Sequence, residues 1–289
     1  MAPRASSPAP DPVAALPGDL PTRVRALAGR LVEVPGVVAV TLGGSRARGA
    51  AAPDSDVDLG LYYRPPLDVP ALEALARDVC GPDAQVTAPG AWGPWVDGGA
   101  WLQLGGLPLD WIYRDLDRVA AAWRNARAGR FAFAAQVGHP LGFLDAAYAG
   151  ELALGVLLAD PSGEAAALQR ETAAYPPALG RALVARLAEA RFTVQIAGKA
   201  APRGDTAYVA GCLFRAVGLC AHALHGAAGR WLVNEKGAVA AAGALPGAPA
   251  GFAVRAAGVL AALGTGADQL TAAVAATAEL VDDVATACG

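Results

Sequence analysis

From Val40 to Arg64 the chain reads VTLGGSRARGAAAPDSDVDLGLYYR. An apolar run ends in Gly43, Gly44 and Ser45, a small polar turn follows, and Asp56 and Asp58 then stand one residue apart at the head of an apolar alternation. In Asp56-Val57-Asp58-Leu59-Gly60-Leu61-Tyr62 the period is that of a strand, so both carboxylates leave the same face. Neighbouring carboxylates repel, and a strand that also carries Val57, Leu59 and Leu61 holds them side by side only where solvent or a cation compensates them. Mg²⁺ suits that place, because it is small and hard and is held by one or two carboxylates plus substrate phosphates.

Just upstream, Val37 to Leu42 is a β-branched run and a predicted strand. Glycines at its end let backbone N–H groups approach anionic oxygens, and the Ser45 hydroxyl adds a donor. Arg46 and Arg48 follow, placed to counter triphosphate charge. Strand, Gly-Gly-Ser, turn and Asp-x-Asp strand together predict a metal and triphosphate site within one hairpin-sized unit.

These residues resemble the nucleotidyltransferase superfamily of DNA polymerase β, whose motif is an apolar residue, Gly, Gly or Ser, a spacer and Asp-h-Asp-h. Gly44, Ser45, Asp56 and Asp58 match it. The longer form GSxARGxxxxxSDxDL is met through Gly44, Ser45, Ala47, Arg48, Gly49, Ser55, Asp56, Asp58 and Leu59, and is similar to the small stand-alone and antibiotic-modifying members. The resemblance implies a third carboxylate on a neighbouring strand. Asp110 fits, as the one acid in the apolar run Gly106-Leu-Pro-Leu-Asp-Trp-Ile-Tyr113. The alternative for Asp110 is a strand-end acid paired with Arg114.

On that resemblance, Asp56, Asp58 and Asp110 are the expected catalytic and metal residues, holding two Mg²⁺ ions. An NTP, expected to be ATP, is the co-substrate, contacted by Gly43, Gly44, Ser45, Arg46, Arg48 and Lys236. Lys236 enters through Asn234-Glu235-Lys236, which is similar to a segment of stand-alone members; an ordinary polar turn ending at Gly237 is the other reading. The expected reaction moves AMP to a hydroxyl of a small acceptor such as an aminoglycoside antibiotic. The alternatives are a toxin-like or regulatory transferase acting on tRNA or protein, and a non-catalytic nucleotide-binding module.

Composition narrows the partners. At 289 residues and a net charge of −3, the chain has room for two domains and lacks the basic face of a dedicated nucleic-acid binder. No uncharged run reaches the length of a membrane span, so no membrane partner is expected. Cys80, Cys212, Cys220 and Cys288 show no paired spacing and read as reduced thiols of a cytoplasmic protein. Residues 1–20, rich in Pro, Ala and Ser, are expected as a disordered tail without a secretory signal. The oligomeric state is left open.

The expected fold is α+β, with an N-terminal palm of mixed β-sheet and helices over 21–140 and a C-terminal helical acceptor-binding bundle over 141–289. In the palm, helices are predicted at Pro21–Leu31, Val69–Val79 and Leu116–Ala128, and a short strand at Gln85–Thr87. Pro89 to Trp101 reads as a Gly-rich loop whose Trp92, Trp95 and Trp101 either stack on a base or acceptor sugar or merely anchor the loop. Gly138-His139-Pro140 marks the boundary. Beyond it Phe143–Leu158, Gly163–Ala173, Pro177–Ile196, Thr206–Leu224 and Gly266–Thr286 read as helices. Glu151 is either the carboxylate that family members place near the domain junction or a surface acid. Arg215 and His222, seven apart on one helix, are similar to the Arg/His pair of HEPN ribonucleases, with a core role as the alternative.

Overall fold

The computed structural model of the protein describes residues 11–289. In chain order the elements are α1 (Leu20–Leu31), β1 (Val37–Leu42), α2 (Gly44–Ala47), β2 (Val57–Tyr63), α3 (Val69–Cys80), β3 (Gly99–Leu104), β4 (Leu107–Asp115), α4 (Leu116–Arg127), β5 (Phe133–Gln136), β6 (His139–Leu144), α5 (Ala147–Leu154) and β7 (Val156–Ala159). Helices α6 (Glu164–Thr172), α7 (Pro177–Ala185), α8 (Leu187–Ala200), α9 (Thr206–Ala227), α10 (Ala238–Gly243), α11 (Phe252–Ala261) and α12 (Ala267–Cys288) complete it. The fold is α+β as expected: a mixed sheet with helices, followed by helices.

The chain divides into two compact units. One comprises residues up to 120 together with 151–173, the other 121–150 and 174–289. The chain passes between them three times, within α4, within α5 and after α6, and β7 is the reason it returns to the first unit. The run Phe143–Leu158, expected as one helix, is the end of β6, then α5, then the strand Val156–Ala159, which returns to pair with β1. Gly138-His139-Pro140 lies at the turn of the β5–β6 hairpin instead of at a domain boundary.

In the first unit the sheet order is β3-β4-β2-β1-β7. β2 and β4 are parallel, and the other neighbours are antiparallel. Period-two alternation gives the sheet two chemically different faces. On one, Val40 and Leu42, Val57, Leu59 and Leu61, Leu102 and Leu104, and Leu109, Trp111 and Tyr113 are buried with Val24, Leu27 and Leu31 of α1 and Leu72 and Leu75 of α3. The opposite face carries Thr41, Asp58, Gly60, Tyr62, Trp101, Asp110 and Arg114, which alternate with that core set.

Two expectations fail within this unit. Gln85–Thr87 forms no strand, and β3 begins instead at Gly99, inside the expected loop. The alternation Ala100, Leu102 and Leu104 inward against Trp101 and Gln103 outward is the signal that decides it. Of the expected tail, residues 1–10 lie outside the described residues, while residues 11–19 form turns that bury Val13 and Leu16 against the α1 core.

The second unit is organised on α9, whose Val209, Leu213, Val217 and Leu224 are buried with residues of α8, α11 and α12. At 22 residues α9 is long and apolar enough to cross a membrane by composition, but it carries Arg215 and is largely buried by neighbouring helices, as a core helix is. Pro177–Ile196, expected as one helix, is two, broken between Ala185 and Leu187. α10 and α11 were not expected.

Because Leu59 is fully buried in the sheet core, Leu59→Ala is expected to lower stability by about 2–5 kcal/mol. Urea denaturation followed by circular dichroism checks this.

Candidate active site

Asp58 and Asp110 meet because β2 and β4 are parallel and in register, Asp58 opposite Asp110. Residues directly opposite share a face. The same row continues to Trp101 on β3 beyond Asp110, and to the Gly43 end of β1 beyond Asp58, where the Gly43 N–H donates to the Asp58 carbonyl at 2.8 Å. Asp56 sits exposed just before β2.

The electrostatics mark Asp58 as the stressed member. Its pKa is pushed up to about 6, first by burial, then by the charges of Asp110, Asp56 and Glu151, with Arg48 opposing. Gly44 has φ +61°, and a Cβ there would lie 1.7 Å from Asp58 Oδ2. Only glycine allows the turn to pass so close to that carboxylate.

The arginines are sorted by the fold. Arg48 is exposed and acts on Asp58. Arg46 does not face phosphate as expected: it is buried, and its Nε donates to the carbonyls of Ser55 and Asp56 at 3.0 Å while Nη2 donates to that of Pro53 at 3.2 Å. It therefore staples the turn that delivers Asp56. Ser45, half-buried, lies within α2. Lys236 belongs to the second unit, in a turn where its N–H donates to Asn234 Oδ1 at 2.9 Å, and Glu235 accepts from the Leu141 N–H at 3.0 Å.

Three further residues share the carboxylate face without having been singled out for it. Arg114 is buried, and its guanidinium binds both oxygens of Glu151, Nη2 to Oε1 at 2.9 Å. Glu151, a residue the sequence left between two readings, is thus a partner of Arg114. Tyr62 is fully buried and its hydroxyl pairs with Thr41. Burial, and secondarily the Glu151 charge, push its pKa up. Thr41 and Tyr62 look like ordinary strand residues in sequence; only their outward parity could have found them.

Asp58 and Asp110 stand side by side as carboxylate oxygen donors with Asp56 two residues before Asp58, and the like-charge stress on Asp58 is what a bound cation would relieve, so the residues fit Mg²⁺ where substrate phosphates complete its shell. Among the described residues, no three His, Cys, Asp or Glu side chains are gathered closely enough to hold a metal by themselves. The ribonuclease alternative fails on burial. His222 is buried against Phe133 with its pKa lowered to about 3 by desolvation, and Arg215 is engaged by Glu189.

With the strand, the glycine turn and Asp56 and Asp58 in place, the stretch that builds them can be compared with known families. Residues 24–80 match the nucleotidyltransferase domain. The match begins within α1 and ends with α3, with Gly43, Gly44, Ser45, Asp56 and Asp58 inside it. Asp110 and Glu151 lie beyond it and rest on strand register and side-chain geometry. Among solved structures, the chain is similar to a nucleotidyltransferase-like protein from Exiguobacterium sibiricum, at 12% identity and a TM-score of 0.44, over 90% of this chain and 74% of that one. No curated protein matches.

The raised pKa of Asp58 has a definite sign. A carboxylate whose pKa is higher folded than unfolded stabilises the fold below about pH 4 and loses that contribution as pH rises through about 6. In the absence of divalent cations, Asp58→Asn should therefore gain stability relative to the parent by up to roughly 3 kcal/mol between pH 4 and pH 8. Thermal melts of both proteins across that range, with and without Mg²⁺, check it: Mg²⁺ should raise the melting temperature of the parent at pH 8 and leave the variant unmoved.

Proposed function

We propose that this protein transfers a nucleoside monophosphate, AMP from ATP, to a hydroxyl of a small acceptor of the aminoglycoside kind. The single observation that carries the reading is the in-register pair Asp58 and Asp110, with the Gly43-Gly44-Ser45 turn against Asp58.

The β- and γ-phosphates lie over the turn, where the Gly44 N–H and the Ser45 hydroxyl donate to them and Arg48 offsets their charge. The α-phosphorus lies over Asp58 and Asp110. The acceptor oxygen attacks in line, the new O–P bond forms as the bond to the bridging α,β-oxygen breaks, and pyrophosphate leaves towards the turn. The hydroxyl proton passes to Asp110, the carboxylate on the side away from the leaving group. Mg²⁺ held by Asp56, Asp58 and Asp110 would supply charge neutralisation for the phosphates. Arg114 keeps Glu151 fixed behind this row, and Arg46 keeps Asp56 at its mouth. Alignment and charge placement are the protein's main contributions.

Asp56→Asn and Asp58→Asn are expected to lower pyrophosphate release from ATP, assayed with a panel of hydroxylated acceptors, by at least about a hundredfold, a loss typical of removing one preorganised electrostatic group. Asp110→Asn should fall equally if it receives the proton; undiminished turnover by any of the three overturns its assignment. Gly44→Ala, which drives a Cβ into Asp58 Oδ2, should lose activity to a similar degree while the urea midpoint moves far less than in Leu59→Ala.

A further inference from the structure

Trp101 is an anomaly on the sheet. It is 73% exposed, the most exposed aromatic side chain among the described large hydrophobics. It stands directly opposite Asp110, so it shares the carboxylate face. Trp92 stacks on it, with ring centroids 4.4 Å apart and planes at 13°.

The loop behind the pair is built to hold it. Gly99 N–H donates to Thr87 Oγ1 and the Thr87 N–H donates to the Gly99 carbonyl, both at 2.9 Å. Tyr63 donates to Asp97, and Arg118 donates to the Pro94 carbonyl at 2.6 Å and lies over the Trp95 ring. Trp95 thus anchors the loop, whereas Trp92 and Trp101 form a two-ring slab at the sheet edge. At Gly99 a Cβ would fall 1.8 Å from the Trp111 carbonyl and 3.1 Å from the Trp92 ring, so the close packing of loop, β3 and β4 requires glycine there.

We propose that Trp101, backed by Trp92, is the platform on which the acceptor lies, and that the acceptor presents to it the C–H face of a saturated, hydroxylated ring bearing a protonated amine. The inference rests on the nucleotidyl-transfer reading. In-line displacement puts the attacking oxygen opposite the leaving pyrophosphate, and the row across the sheet runs Gly43, Asp58, Asp110, Trp101. With the pyrophosphate at the glycine end, the acceptor comes from the tryptophan end. Two strand spacings separate Asp58 from Trp101, about 10 Å, enough for one six-membered ring and its reacting hydroxyl. The amine follows from the platform itself, because indole attracts cations over its face.

The test uses the full chain and two probes, α,β-methylene-ATP with Mg²⁺, which is not cleaved between those phosphates, and 2-deoxystreptamine. Binding is read by tryptophan fluorescence and by calorimetry in the parent, Trp101→Ala and Trp92→Ala, with circular dichroism confirming folding. In the parent the ring probe should quench fluorescence saturably when the nucleotide analogue is present. Trp101→Ala should weaken the ring probe about tenfold and leave nucleotide affinity within about twofold, and Trp92→Ala should weaken it less. Loss of nucleotide affinity in Trp101→Ala overturns the inference in favour of a nucleobase platform, and unchanged ring binding makes the pair a cap on the sheet edge. If the parent binds nucleotide but not the ring, this inference alone fails. If the parent binds neither, the nucleotidyl-transfer reading fails with it.

Discussion

Everything at the candidate site depends on two like charges held opposite one another. Asp58 and Asp110 belong to neighbouring strands that register places side by side, and the protein tolerates their repulsion because the other face of the same strands is apolar. The cost is visible in Asp58, whose pKa is pushed up to about 6 first by burial and then by the charges of Asp110 and Asp56, which together correspond to roughly 3 kcal/mol. Against it stand the side chains of Val57, Leu59, Leu61, Leu109, Trp111 and Tyr113, each contributing about 1.5–3 kcal/mol by burial. The core wins, and the strain stays at the surface where a cation and phosphates fit it. A fold with polar residues on both faces could not hold this pair.

The arginines show how burial assigns function. Arg46 and Arg48 flank one alanine, yet Arg46 is spent on three carbonyls of the turn while Arg48 remains exposed and acts on Asp58. Arg114 lies four residues after Asp110 on the same strand and is bound by Glu151. A buried guanidinium needs partners for its fixed fork of donors, and removing Glu151 would strand a charge away from water. Such residues shape the site without touching the reacting atoms.

The second unit is of a different kind. Its core is α9 and the helices packed on it, and its polar residues there are structural: Arg215 binds Glu189, and burial lowers the pKa of both His222 and His225. Its strands, β5 and β6, form a two-stranded sheet of their own.

The sequence by itself determined the α+β class and the glycine turn feeding an Asp-x-Asp strand, because both are local: alternation, glycine position and spacing act within a few residues. Helices with clean 3.6 periodicity, such as α3 and α12, were legible for the same reason. Only the tertiary structure decided that Val156–Ala159 joins the sheet, that Glu151 binds Arg114, that Arg46 faces the turn, and that Trp101 stands in the row of carboxylates. Apart from Arg46, whose partners lie within the same turn, each of these depends on strand order and register between separate segments. A side chain's neighbours there are set by which strand pairs with which, and no local pattern carries that information.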